Sequence, residues 1–211
     1  MLLLLVIYIA YIGLGIPDSL FGPAWPAMHE DFGLGVHVAG YLTPLFSLFT
    51  VLSSLASSYL IGRYGTWRVS AVSTAATALG LLGFSFAPNL FTLILFAIPL
   101  GFGAGAIDAG LNTYVANHYS ATHMNFLHCF YGVGVSISPY LMSLALSAKN
   151  DWHIGYRWAA YIQLLITAIM FVSYPLWKKA EVADTEAETV SSRNASIREL
   201  AAIPGVRAAW V

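Results

Sequence analysis

Gly103-Ala104-Gly105-Ala106-Ile107-Asp108 lies inside a long apolar run and repeats the pattern of Gly13-Leu14-Gly15-Ile16-Pro17-Asp18, ninety residues earlier. Each stretch reads Gly-x-Gly-x-x-Asp, and no other acid of the chain is enclosed by apolar sequence in this way. A carboxylate at bilayer depth costs roughly 2.5 to 3.5 kcal/mol on insertion scales, so it is read first as a functional group. Asp18 and Asp108 are the leading candidates.

The sequence around them is 58% apolar and 9% charged, whereas ordinary soluble domains carry about 25% charged residues. This predicts an all-α integral membrane protein. Crossing the hydrocarbon core takes about 20 apolar residues in a helix, and six stretches qualify, roughly 2–28, 37–60, 69–87, 90–116, 122–147 and 155–177. The first is not read as a signal peptide, because it has no charged leader, no small-residue cleavage site, and Asp18 within it. Trp25, Tyr59, Trp67, Trp152, Trp158 and Trp177 fall near span ends, where amphipathic rings favour the headgroup zone. A net charge of -1 offers no basis for a nucleic-acid partner, and the single Cys129 has no intrachain disulfide partner. No metal site and no cofactor is expected.

Seven of the nine Lys and Arg (Arg63, Arg68, Lys178, Lys179, Arg193, Arg198, Arg207) follow spans two and six, leaving Lys149 and Arg157. The positive-inside rule then places the N-terminus and the central linker in the cytoplasm of a multi-pass protein of the cell (inner) membrane. Residues 1–177 are expected to form a six-helix bundle. Residues 178–204 switch to interleaved acids, bases and hydroxyls and read as a cytoplasmic linker. Asn194-Ala195-Ser196 within it matches a glycosylation sequon by chance, since a cytosolic loop never meets the transferase. After Pro204, residues 205–211 open another apolar span that stops, so the chain reads as the N-terminal half of a longer protein whose C-terminal six-helix half is missing.

The repeated pattern makes spans one to three and four to six candidate repeats. An odd number of spans per repeat inverts the second relative to the first, which is a plan of secondary transporters. At about 1.5 Å per residue, Asp18 is expected on the order of 5 Å toward the outside and Asp108 a similar distance toward the cytoplasm, so that the two acids serve opposite gates. Helical spacing puts Tyr11, Gly15, Phe21, Gly22 and Trp25 on the face of Asp18. There the Trp25 indole suits the apolar face of a sugar ring, or is an interfacial residue beside Pro23 and Pro26. Asn112 lies one turn from Asp108 on a face cleared of bulk by Gly101, Ala104 and Gly105, and either contacts ligand or bonds a neighbouring helix. Span five adds Asn125, His128, Gly132 and Ser136, with His128 placed to pair with Asp108 or to be satisfied by its own neighbours.

No Lys or Arg in the six spans lies at the depth of Asp108 to neutralise it. A carboxylate withdrawn from water without a cation binds its proton more tightly. Alternating access to water would load and unload that proton, so the expected coupling ion is the proton.

These residues resemble the major facilitator superfamily, and within it the fucose permease-like sugar:proton symporters. The resemblance covers essentially the whole chain. Asp18 followed by Pro23 resembles the acid and proline of the family's first helix. Asp108-Ala109-Gly110-Leu111-Asn112-Thr113-Tyr114-Val115 resembles its acid-x-x-x-Asn-x-aromatic-Val run, with Asp in place of Glu. Asn125-Phe126-Leu127-His128-Cys129-Phe130-Tyr131-Gly132-Val133-Gly134 keeps the Asn, Phe and final Gly of the fifth helix, with His128 replacing Gln and Tyr131 replacing Asn at positions associated with ligand. Ser58-Tyr59-Leu60-Ile61-Gly62-Arg63-Tyr64-Gly65-Thr66 is similar to the signature after the second helix, with Gly62 replacing its Asp. The resemblance implies proton coupling by Asp108 and Asp18 and a substrate cavity lined by Asp18, Trp25, Asn112, Asn125, His128 and Tyr131. It also implies a cytoplasmic gate motif at Arg63, Gly65 and Arg68.

Three functions compete. The first is proton-coupled symport of a sugar or related small polar solute, with no enzymatic activity. The second is drug or metabolite efflux on the same fold, whose Gly-x-x-x-Gly-Pro motif is matched by Gly134-Val135-Ser136-Ile137-Ser138-Pro139 with Ser138 for the second Gly. The third is an intramembrane aspartyl protease, which needs two close aspartates; the chain has neither Gly-x-Gly-Asp nor Pro-Ala-Leu.

Overall fold

Apolar runs that must satisfy their own backbone in a bilayer become helices, and the computed structural model, which describes residues 1–180, is built of them. In chain order these are α1 (Leu2–Asp18), α2 (Phe21–Asp31), a 3-10 turn (Val36–Val38), α3 (Ala39–Tyr64), α4 (Thr66–Phe84), α5 (Leu90–His118), α6 (Ala121–Lys149) and α7 (Trp152–Val172). Met1–Tyr174 forms one compact unit, and Pro175 begins a second. Apart from 178–180, the linker and the opening seventh span expected at 178–204 and 205–211 lie outside the described residues.

Among the described residues, five stretches are long and apolar enough to cross a membrane: Leu2–Asp31, Val36–Tyr64, Leu90–His118, Ala121–Lys149 and Trp152–Val172. The remaining expected span corresponds to α4, a 19-residue helix that is less apolar and buries Ser70, Ser73, Thr74 and Thr77. It packs along α5 and α7. Thr74 and Thr77 donate within the helix, to the Ser70 and Thr74 carbonyls at 2.7 Å each, and Thr77 also receives the Gln163 amide of α7 at 2.7 Å.

The first span is not the single helix 2–28 that its composition suggested. It breaks at Ser19, which leaves helical geometry at φ -112° and ψ 7°, and helix resumes at Phe21. Pro23 is the cause: it lacks the N–H that would reach the Ser19 carbonyl, and its ring crowds that oxygen. The Ser19 hydroxyl instead donates to the Val135 carbonyl of α6 at 2.8 Å.

The helices pair across the two triplets. α1 lies along α6, α3 along α5, and α4 along α7. Exchanging the first triplet for the second turns the α1–α6 pair into the α5–α3 pair and returns the α4–α7 pair to itself. This is the internal two-fold relation of inverted repeats.

The repeated glycines are the contacts that build it. A Cβ on Gly13 would meet Gln163 of α7 at 2.7 Å, and one on Gly103 would overlap the Ser73 carbonyl of α4. Two residues on, a Cβ at Gly15 would overlap the Tyr131 carbonyl of α6, and one at Gly105 would overlap the Thr50 carbonyl of α3. In each repeat the first glycine seats the helix on the third helix of the opposite triplet, and the second seats it on that triplet's second helix. Three residues later the aspartate leaves the contact. Serine hydroxyls fasten the same crossings, Ser138 to the Ile16 carbonyl at 2.6 Å and Ser53 to the Phe102 carbonyl. A hydrophobic cluster containing Leu20, Met28, Leu93, Trp152 and Tyr156 packs the end of the bundle where α1 and α4 finish and α5 and α7 begin.

Candidate functional site

Asp18 sits where α1 ends and Asp108 in mid-α5, and both line one cavity of about 190 Å³ with Tyr11, Thr50, His128 and Tyr131. Both aspartates are solvent-exposed in this bundle. The structure therefore places the two acids on a common space rather than on separate ones. The break after Asp18 frees this carboxylate from a packed helix interior, and broken helices are where transporters place their ion and substrate groups.

Each acid is held by a hydroxyl from another helix. Tyr131 of α6 donates to Asp18 Oδ2 at 2.8 Å. Tyr11 of α1, almost wholly buried, places its hydroxyl 3.2 Å from Asp108 Oδ1 and 3.1 Å from the Asp108 carbonyl oxygen. Asn112 Nδ2 donates to the same Oδ1 at 2.9 Å, while Asn112 Oδ1 is buried without a donor. No Lys or Arg pairs with either acid among the described residues.

The expected substrate residues divide. Tyr131 and His128 reach the cavity, and Asn112 adjoins it through Asp108. His128 does not pair with Asp108; its ring stands edge-on to Tyr11, centroids 6.4 Å apart. Asn125 is exposed one turn earlier on α6 and does not line the cavity. Trp25 is buried, its indole N–H donates to the Val36 carbonyl at 2.8 Å, and its ring packs on Phe21. The break at Ser19 turns it off the face of Asp18. Tyr11 was on the sequence-derived face but had no role there, because its hydroxyl crosses to α5 and spacing within one helix does not show that.

The expected gate motif forms the turn between α3 and α4. Gly65 ends one helix and begins the next at φ 83°, a conformation that favours glycine. Arg63 donates to the Tyr59 hydroxyl at 3.1 Å and lies 5.6 Å from the centroid of the Tyr64 ring. Arg68 lines an apolar groove with Trp67 and Phe171. Gly62 is exposed with open space around it, so the acid found there in the resembling family would fit without displacement.

Comparison with known proteins bears on the fold and the family. The chain is 22% identical over 145 residues to a D-xylose transporter of Levilactobacillus brevis, covering 69% of this chain and 32% of the relative. It is 23% identical over 141 residues to sodium-dependent glucose transporter 1A of Mus musculus, covering 65% of this chain and 33% of the relative. The chain thus spans about a third of the length of these curated relatives. Its fold superposes on a crystal structure of the peptide transporter POT (E310Q mutant) with a TM-score of 0.71 at 16% identity, covering 95% of this chain and 46% of that one. The family model described as Major Facilitator Superfamily matches residues 7–210. This chain is a multi-pass membrane protein and belongs to the major facilitator superfamily.

Proposed function

We propose that the complete protein is a secondary active transporter, not an enzyme, and that it couples movement of a sugar or related small polar solute to the proton. The observation that carries this reading is the pair of cation-free carboxylates, Asp18 and Asp108, opening on one cavity with a tyrosine hydroxyl on each. A carboxylate hydrogen-bonded only by neutral donors can take a proton and give it back without breaking an ion pair. Asp108 is the coupling group and Asp18 the acid nearer the solute, with Tyr131, His128 and Asn112 beside them. Relatives named for D-xylose and glucose support a sugar as the solute. The positive-inside distribution supports a cytoplasmic N-terminus and linker, with Arg63, Gly65 and Arg68 on that side.

Liposomes containing the complete protein test the reading. Asp108→Asn is expected to abolish accumulation driven by an imposed pH gradient while exchange of solute between compartments of equal pH persists. Undiminished accumulation by that variant, or accumulation driven by sodium and indifferent to pH, removes the proton from the mechanism.

A further inference from the structure

The hairpin of α3 and α4 carries two arginines and no acid. Arg63 and Arg68 flank the Gly65 turn, and neither Asp nor Glu occurs anywhere between Asp31 and Asp108. Both arginines are exposed, and among the described residues neither forms an ion pair. Arg63 donates to the Tyr59 hydroxyl and lies over the Tyr64 ring, which leaves its remaining N–H groups to the surroundings. The charge of this turn is therefore not answered from within the hairpin.

Beside it lies a groove of about 410 Å³, between the end of α3, the first two turns of α4 and the end of α7. α3 packs along α5, whereas α4 packs along α5 and α7, so the two helices part soon after their turn and leave the space between them open. Leu60, Val72 and Phe171 give it apolar walls, and Tyr64 and Arg68 bring polar groups to it. Trp67 holds one wall in place: its indole N–H donates to the Met170 carbonyl at 3.0 Å, and its ring packs on Tyr174 and edge-on to Phe171. An apolar space of this kind does not hold water well, and a hydrocarbon chain suits it. The Arg68 stem can follow the apolar wall while its guanidinium stays at headgroup level. A guanidinium matches a phosphate with two parallel N–H donors, and no carboxylate of the hairpin competes for it or repels an anion.

We propose that this groove is a binding site for one anionic phospholipid, with an acyl chain along Leu60, Val72 and Phe171 and the phosphate on Arg68, near Arg63. Placing that lipid in the cytoplasmic leaflet rests on the topology reading above; the site itself rests on the groove and on the acid-free pair of arginines. The lipid bridges α3 to α4 and α7 across the gap that protein packing leaves.

The test titrates the complete protein in mild detergent with phosphatidylglycerol or phosphatidylcholine of identical acyl chains, read by native mass spectrometry. The wild type is expected to hold one phosphatidylglycerol at least about fivefold more tightly than phosphatidylcholine. Arg68→Gln is expected to lose that preference, and Arg68→Lys to keep it in part. Val72 is exposed, so Val72→Trp sets an indole in the groove without disturbing the interior, and it is expected to weaken retention of both lipids. Equal retention of the two lipids by the wild type, or a preference that survives both Arg68→Gln and Val72→Trp, overturns the site. A dimer mass that Val72→Trp removes puts a second copy of the chain in the groove and overturns it as well. No arm of this test uses a solute, so its failure leaves the transport reading standing. A protein that selects phosphatidylglycerol but accumulates no sugar removes that reading alone.

Discussion

Asp108 Oδ1 accepts two hydrogen bonds, and the donors differ in what they join. Asn112 is one turn away on the same helix, so its amide orients the carboxylate without linking elements. Tyr11 comes from α1 and ties the acid of the second triplet to the first. Hydrogen bonds to charged groups contribute about 1.5 to 3 kcal/mol. Removing the Tyr11 hydroxyl unties α1 from Asp108, so Tyr11→Phe is expected to lower the initial uptake rate while leaving the amount of folded protein in the membrane unchanged. An unchanged rate would mean that Tyr11 only packs. The acids themselves were legible in the sequence, since a charge enclosed by an apolar run is visible without a structure. Their tyrosines were not: the Tyr11 and Tyr131 hydroxyls act across helices 97 and 113 residues from their partners.

At the scale of the element, the Gly-x-Gly-x-x-Asp pattern proves to be a packing code with a functional residue at its end. The sequence showed the repeat and its small-residue face, and the structure adds which neighbour each glycine admits. Gly105→Val drives two methyl groups into the α3 backbone near Thr50, and overpacking of this kind costs about 1 to 3 kcal/mol. The expected result is a lower melting temperature in detergent and weakened transport, because Asp108 moves with the helix. Gly15→Val should do the same at α6, while Gly132→Ala, whose Cβ meets nothing within 4 Å, should be silent. Equal melting temperatures for all three would refute the close-contact account. The break after Asp18 was harder to read, although Pro23 was in view. Helical phase was carried straight through the proline, and this is why Trp25 was assigned to a face from which the break turns it away.

At the scale of the whole molecule, α3 and α6 remain largely exposed, burying only Leu42, Ser53 and Ser57 in the first and five residues in the second. Composition made the all-helical class and most span limits readable. The sequence marked α4 as a span at 69–87, but not its packing between α5 and α7, because those neighbours are distant in sequence.

The pairing of α1 with α6, α3 with α5 and α4 with α7 has a consequence for how the chain is made. The principal neighbours of the first three spans all lie in the second three, so a nascent chain that has inserted only through Phe84 has little to dock against. Insertion and folding are then separated in time, with the early helices waiting in lipid until α5 leaves the ribosome. Residues 1–88 expressed alone should be rapidly degraded by membrane proteases, and co-expression with residues 89–211 should rescue them, as pulse-chase would show. A long-lived first triplet would contradict this order. The seam between the repeats is therefore also the assembly checkpoint, and damage at α5 should show itself first as loss of the spans made before it.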